Sequence, residues 1–150
     1  EMAEEFRRVQ EAAREHDLSV VMWAYPRGQG LKNDTKPGVI SYAARMGLEL
    51  GADIAKVKYP GDADAMAHAC EMSGRTKVVM SGGSKTDDRA FLTTIREAMD
   101  AGADGLAVGR NVFQRENPQE ILDALEAVIF EEASVDEALE HTGAAAVADD

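Results

Sequence analysis

Four times along the 150-residue chain a short, nearly continuous apolar run ends in a turn bearing glycine or proline, and a segment with helical spacing follows. The runs are LSVVMWAYP, from Leu18 to about Tyr25; ADIAKVKYPGD at 52–62; KVVMSGG at 77–83; and DGLAVGRNVF at 104–113. Strands with apolar residues on both faces are covered on both faces, and strands separated by helices run parallel. The pattern restricts the chain to an α/β class with a parallel sheet. Two architectures satisfy it: an open doubly wound sheet and an eight-stranded (β/α)8 TIM barrel.

The helical segments have readable ends. EMAEEFRRVQEAAREH carries Met2, Phe6, Val9 and Ala13 at three- and four-residue spacing, a one-sided stripe. Pro37 sits in the first turn of a helix that Gly51 ends, Gly61-Asp62 opens the next, DDRAFLTTIREAMDAG runs to Gly102, and Asn117-Pro118 caps QEILDALEAVIFEEA. A barrel needs eight strands and about 250 residues. Four strands, with a first residue already inside a helix, read as half of one, about strands 5–8, over residues 1–133. Residues 134–150 read as a short acidic helix and a frayed tail.

Charge excludes some partners. Asp and Glu number 28 against 16 Lys and Arg, for a formal charge of −12, a balance that repels nucleic acid and anionic membrane. Only six of those cations are lysine, which fits a salt-rich habitat. The apolar runs are too short to span a bilayer and the first residues lack a signal-peptide pattern, so a cytoplasmic location is expected. Cys70 has no partner for a disulfide, and His16, His68 and His141 lack metal-site spacing with it.

In both parallel architectures chemistry gathers at the C-terminal ends of the strands. There lie WAYPRG, KVKYPGD, MSGGSK and VGRNVF. Ser81, Gly82 and Gly83, with Gly109 and the forked cation of Arg110, read as a phosphate site. Strand alternation puts Ile54, Lys56 and Lys58 on one face and Ala55, Val57 and Tyr59 on the other. A lysine enclosed within a barrel has its charged form disfavoured, and its amine becomes a nucleophile toward a carbonyl. Either lysine satisfies this reading, and both also satisfy a plainer one in which they reach the rim. Trp23 and Tyr25, two residues apart, share a face, Tyr25 as proton carrier and Trp23 as pocket wall.

WAYPRG, then YAARMGLELGADIAKVKYPGD, VVMSGGSKT and GLAVGRNVFQ, resemble the archaeal-type class I fructose-bisphosphate aldolases of the DhnA/DeoC-like aldolase family, over about residues 18–130. The resemblance implies Lys56 as the Schiff-base lysine, Tyr25 as general acid and base, and Trp23, Lys58, Ser81, Gly82, Gly83, Gly109 and Arg110 around a phosphorylated sugar. It implies no metal or organic cofactor, and a homo-oligomer. The missing N-terminal half of the barrel is then a partner for activity. Two alternatives stand beside it: a transaldolase-like 2-amino-3,7-dideoxy-D-threo-hept-6-ulosonate synthase, which shares YPRG and VGRN, and a non-catalytic phosphosugar-binding module, which the half-barrel reading alone supports. KVKY and SGG favour the aldolase over the synthase.

Overall fold

In the computed structural model, which describes residues 1–143, four parallel strands stand side by side in chain order. They are β1 (Val21–Trp23), β2 (Ile54–Lys58), β3 (Lys77–Ser81) and β4 (Gly105–Ala107). Helix α1 (Met2–Glu15) precedes β1, and α2 (Pro37–Glu49), α3 (Ala63–Met72) and α4 (Asp88–Asp100) make the crossovers. After β4 come the single turn α5 (Arg110–Phe113), α6 (Pro118–Phe130), α7 (Val135–Leu139) and a 3₁₀ turn at Glu140–Thr142. Sequential strands whose crossovers all pack on one side form the wall of a barrel rather than a sheet wound on both faces.

Alternation along the strands decides which face is covered. Ala55 and Val57 of β2 and Val78 and Met80 of β3 are buried. Val57, Val78 and Met80 pack with Ile40 of α2, Met66 of α3, Leu92 and Ile95 of α4, and Ile121 and Val128 of α6 in one apolar cluster. Each large side chain buried there contributes about 1.5–3 kcal/mol. The opposite face carries Trp23, Lys56, Lys58, Val79 and Ser81 and is open: Trp23 is 70% exposed.

Local sequence sets the joints. Asp62 accepts a hydrogen bond from Ala65 N–H at 2.8 Å and Asp87 one from Ala90 N–H at 2.9 Å, so each caps its helix, a contribution of about 1 kcal/mol. Gly-Ala-Asp occurs at 51–53 and again at 102–104. Each aspartate accepts a backbone N–H from the neighbouring strand region, Val20 to Asp53 at 2.7 Å and Val78 to Asp104 at 2.8 Å. This repeated contact ties each strand's entry to the strand before it.

Three expectations are corrected. The apolar run to Phe113 is not all strand: β4 ends at Ala107 and Arg110–Phe113 coil into α5, because the Asn111 side chain turns inward and bonds the preceding loop. Asn117 precedes α6 without a side-chain cap bond; its amide donates instead to Glu120 Oε1 at 2.7 Å, and Pro118 opens the helix. On α1 the stripe of Met2 and Val9 is exposed, at 84% and 60%, and the buried side chain is Gln10, whose amide donates to the Gly51 carbonyl.

Ser134 and Glu137 form a reciprocal capping box that starts α7. Residues 144–150, the rest of the expected tail, lie outside the described residues. Among those described, no helix is long and apolar enough to cross a membrane.

Candidate active site

The open face and the loops at the C-terminal ends of the strands enclose a cleft of about 700 Å³. Its lining includes all nine residues singled out from the sequence: Trp23, Tyr25, Lys56, Lys58, Ser81, Gly82, Gly83, Gly109 and Arg110. The register explains the convergence. Trp23 stands opposite Lys56, and Lys58 opposite Ser81, which in turn faces Ala107. Side chains in one row of a parallel sheet share a face.

Environment separates the two lysines. Lys56 Nζ lies 4.8 Å from the centre of the Trp23 ring and makes no ion pair among the described residues. Lys58 Nζ donates to Asp34 Oδ2 at 2.5 Å, and the Arg27 guanidinium lies 3.1 Å from the same oxygen. That hydrogen bond holds the Asp34 carboxyl below its ordinary value against the opposing effect of desolvation, with the Lys58 and Arg27 charges adding to it. Lys58 is thus committed to a carboxylate while Lys56 is held by an aromatic face, an attraction of about 0.5–1 kcal/mol at an exposed site. Both are half-buried rather than enclosed, because nothing among the described residues covers this side of the sheet. The Tyr25 ring lies 6.2 Å from that of Trp23, tilted by 45°.

The far end of the cleft is a glycine turn. Gly83 has φ +64°, a conformation L side chains rarely adopt, and a Cβ on Gly82 would meet Val108 Cγ1 at 2.6 Å. The turn is held from beneath by Asn111, only 1% exposed. Its Nδ2 donates to the carbonyls of Gly82 at 2.7 Å and Ser84 at 2.9 Å, and its Oδ1 accepts the Thr86 N–H at 3.0 Å. Exposed backbone around such a turn, with the Arg110 fork on the same cleft, suits an anion of phosphate size.

Sequence reasoning passed over Asp34, Asn111 and Tyr59. Tyr59 lines the cleft and donates from its hydroxyl to Glu97 Oε2 at 2.6 Å. Desolvation, reinforced by Glu97, pushes its phenol above the ordinary range. None of these contacts leaves a local signal, since the partners lie 24 to 38 residues apart.

The remaining candidates stay away from the cleft. His16 closes α1, His68 is exposed and 3.5 Å from Glu71, and His141 is in the 3₁₀ turn. Burial, with the Asp104 charge added, pushes the Cys70 thiol up to about 11, which keeps it a packing residue rather than a thiolate. Among the described residues no three His, Cys, Asp or Glu side chains gather in a way that could hold a metal ion.

Comparison with known proteins places this geometry in a group. A family model described as DeoC/LacD family aldolase matches residues 1–115. A class 1 fructose-bisphosphate aldolase of Halobacterium salinarum is 73% identical over 139 residues, which are 93% of this chain and 53% of the relative. Two solved structures are similar. One is a Schiff-base-forming fructose-1,6-bisphosphate aldolase studied through its reaction intermediates, with TM-score 0.84, 42% identity, and coverage of 86% of this chain and 52% of its own. The other is an archaeal fructose-1,6-bisphosphate aldolase with its catalytic lysine bound to the carbinolamine of its substrate, with TM-score 0.83, 42% identity, and coverage of 85% and 51%. The chain spans about half the length of each. Its parallel strands form part of the (β/α)8 barrel of those enzymes.

Proposed function

This chain belongs to the DeoC/LacD aldolase family, and from that premise we propose that its cleft is the Schiff-base site of a class I aldolase, a lyase acting on fructose 1,6-bisphosphate. The observation that carries the reading is the Lys56 amine against Trp23, without an ion pair among the described residues, in one cleft with the Ser81–Gly83 turn and Arg110. Similarity to two Schiff-base aldolases supports it further.

On this reading Lys56 attacks the C2 carbonyl of the ketose. Tyr25 protonates the departing hydroxyl of the carbinolamine, water leaves, and an iminium remains. The phenolate takes the proton of the C4 hydroxyl as the C3–C4 bond breaks, its electrons entering the iminium to give an enamine. Glyceraldehyde 3-phosphate departs. Tyr25 returns the proton to C3, water adds to the iminium, and dihydroxyacetone phosphate leaves the regenerated amine. The Ser81–Gly83 turn and Arg110 hold a substrate phosphate, which spends binding energy on orienting C2 toward Lys56. Lys58, tied to Asp34, contributes positive charge to the cleft rather than a nucleophile.

Residues 1–133 then form half of a barrel domain that closes around the substrate with four further strands, and the 150-residue chain alone is inactive, or active only once paired with another half. A homo-oligomeric assembly, a cytoplasmic location and an acidic surface adapted to salt belong to the same reading.

Trapping tests it. The protein is incubated with dihydroxyacetone phosphate, reduced with borohydride and mapped by peptide mass spectrometry. An adduct on Lys56 is expected. An adduct on Lys58 would reassign the nucleophile. No adduct, either in this chain or in one extended to the full length of its relatives, would remove the Schiff base.

A further inference from the structure

Among buried polar groups on the cleft side, Asn111 stands apart: every hydrogen-bonding position of its carboxamide except one acceptor lone pair is spent on a single loop. It belongs to α5, directly after Arg110, yet all three bonds cross to residues 82–86 on the β3–α4 connection. One 99% buried side chain thus couples the two segments that meet at the glycine end of the cleft. Its three partners are backbone groups that helix and sheet ladders leave over, so without it two carbonyls and an N–H would need other partners in a poorly hydrated place.

We propose that Asn111 is a positioning residue: it sets the Gly82–Thr86 loop against Arg110 so that the loop amides and the guanidinium address one phosphate, and thereby selects phosphorylated over unphosphorylated carbonyl substrates. The inference rests on the aldolase reading of the cleft. Asn111 does not line the cleft itself, so it acts through the loop and not on the reacting atoms. Glycines at 82 and 83 give the loop its shape but also leave it the freedom to relax. A buried amide that fixes both carbonyls removes that freedom before the ligand arrives, which is where preorganisation gains affinity.

The test compares two ketones that differ by one phosphate. Imine trapping on Lys56 is titrated with dihydroxyacetone phosphate and with dihydroxyacetone, in the unaltered protein at the full length of its relatives and in Asn111→Asp. The aspartate keeps the volume but turns acceptors toward the carbonyls of Gly82 and Ser84. The half-saturating concentration of the phosphorylated ketone should rise about tenfold or more, the size that goes with one or two lost hydrogen bonds, while trapping of dihydroxyacetone stays unchanged. Equal losses for both ketones, or none for either, overturn the proposal. If Asn111→Asp does not fold, Asn111→Ser removes the bridge without adding charge and must show the same split.

Amide exchange keeps the two readings apart. The Thr86 N–H should be protected in the unaltered protein and lose protection in either variant. An unprotected Thr86 in the unaltered protein overturns the staple even where imines form. Protection without any adduct on Lys56 overturns the aldolase reading and, with it, the positioning role.

Discussion

Lys58 is ion-paired to Asp34, Nζ to Oδ2 at 2.5 Å, whereas Lys56, one row back on the same strand face, has the Trp23 ring in place of a carboxylate. The Lys58 amine is occupied by its carboxylate partner, whereas the Lys56 amine lines the cleft and makes no ion pair among the described residues. Lys56→Met should therefore abolish imine trapping and lower turnover by about 10³-fold or more, which is about 4 kcal/mol of barrier. Lys58→Met should still form the imine, with a raised KM. Borohydride trapping and steady-state kinetics on the full-length protein check both, and an adduct that survives in Lys56→Met would refute the assignment.

The Asp34 pair also carries a pH signature. Asp34 titrates below its ordinary value of 3.8 when folded. Its charged form is thus favoured by folding, and the stabilisation is complete above the unfolded value and drains away as pH falls through the folded one. Asp34→Asn should be less stable than the unaltered chain at neutral pH, and the difference should close below about pH 4. Because the pair is solvent-accessible, the effect is small and should shrink in high salt. Urea melts at neutral and acid pH, with and without salt, measure it; a difference that widens on acidification would contradict the pairing.

Much of this site was legible because strand alternation is a strict local code. Alternation put Lys56 and Lys58 on one face and Ala55 and Val57 on the other, and the two-residue spacing of Trp23 and Tyr25 put both on a shared side; which face the described residues cover, that of Ala55 and Val57, came only from the structure. The same code failed at VGRNVF. Val112 and Phe113 look like a continuing strand, but the Asn111 amide finds its partners 25 to 29 residues away, and that tertiary bonding coils the segment into α5. On α1 the periodicity of Met2 and Val9 was real, yet an apolar stripe names a face and not what covers it. Asp34 was silent for a similar reason: an aspartate in a polar loop looks like a turn residue until the fold brings a lysine to it.

Tyr59 offers a second titration, with the opposite sign. Desolvation and the bond to Glu97 raise its phenol above the ordinary value of 10.0, so the contact stabilises the fold below that value and fades as pH climbs through the folded one. Alkaline absorbance titration should show a tyrosine step above the ordinary range that is missing in Tyr59→Phe and moved down in Glu97→Gln. In the native pH range Tyr59→Phe should cost about 1 kcal/mol, a typical net value for one hydrogen bond. A titration curve identical in Glu97→Gln would show that the hydroxyl does not bond that carboxylate.

Gly82 and Gly83 adjoin in the turn after β3, but their reasons for being glycine differ, and mutation can tell them apart. At Gly82 the obstacle is a neighbour: an added Cβ would meet Val108 Cγ1 at 2.6 Å and Val108 Cβ at 2.9 Å. At Gly83 nothing lies within 4 Å of the added atom, and the obstacle is the backbone itself, at φ +64°. Gly82→Ala should cost about 1–3 kcal/mol as an overpacking strain, and Gly83→Ala about 1–2 kcal/mol as left-handed backbone strain. The decisive comparison is the second substitution. Val108→Ala removes Cγ1, the nearer of the two atoms that Gly82→Ala strikes, and leaves Cβ, so the double variant Gly82→Ala with Val108→Ala should be partly relieved and more stable than the sum of the two single losses predicts. Paired with Gly83→Ala, Val108→Ala should simply add. Denaturant melts of the five variants give both coupling energies; equal coupling at the two glycines would mean that the turn yields as one unit, and that the Val108 contact does not set its shape.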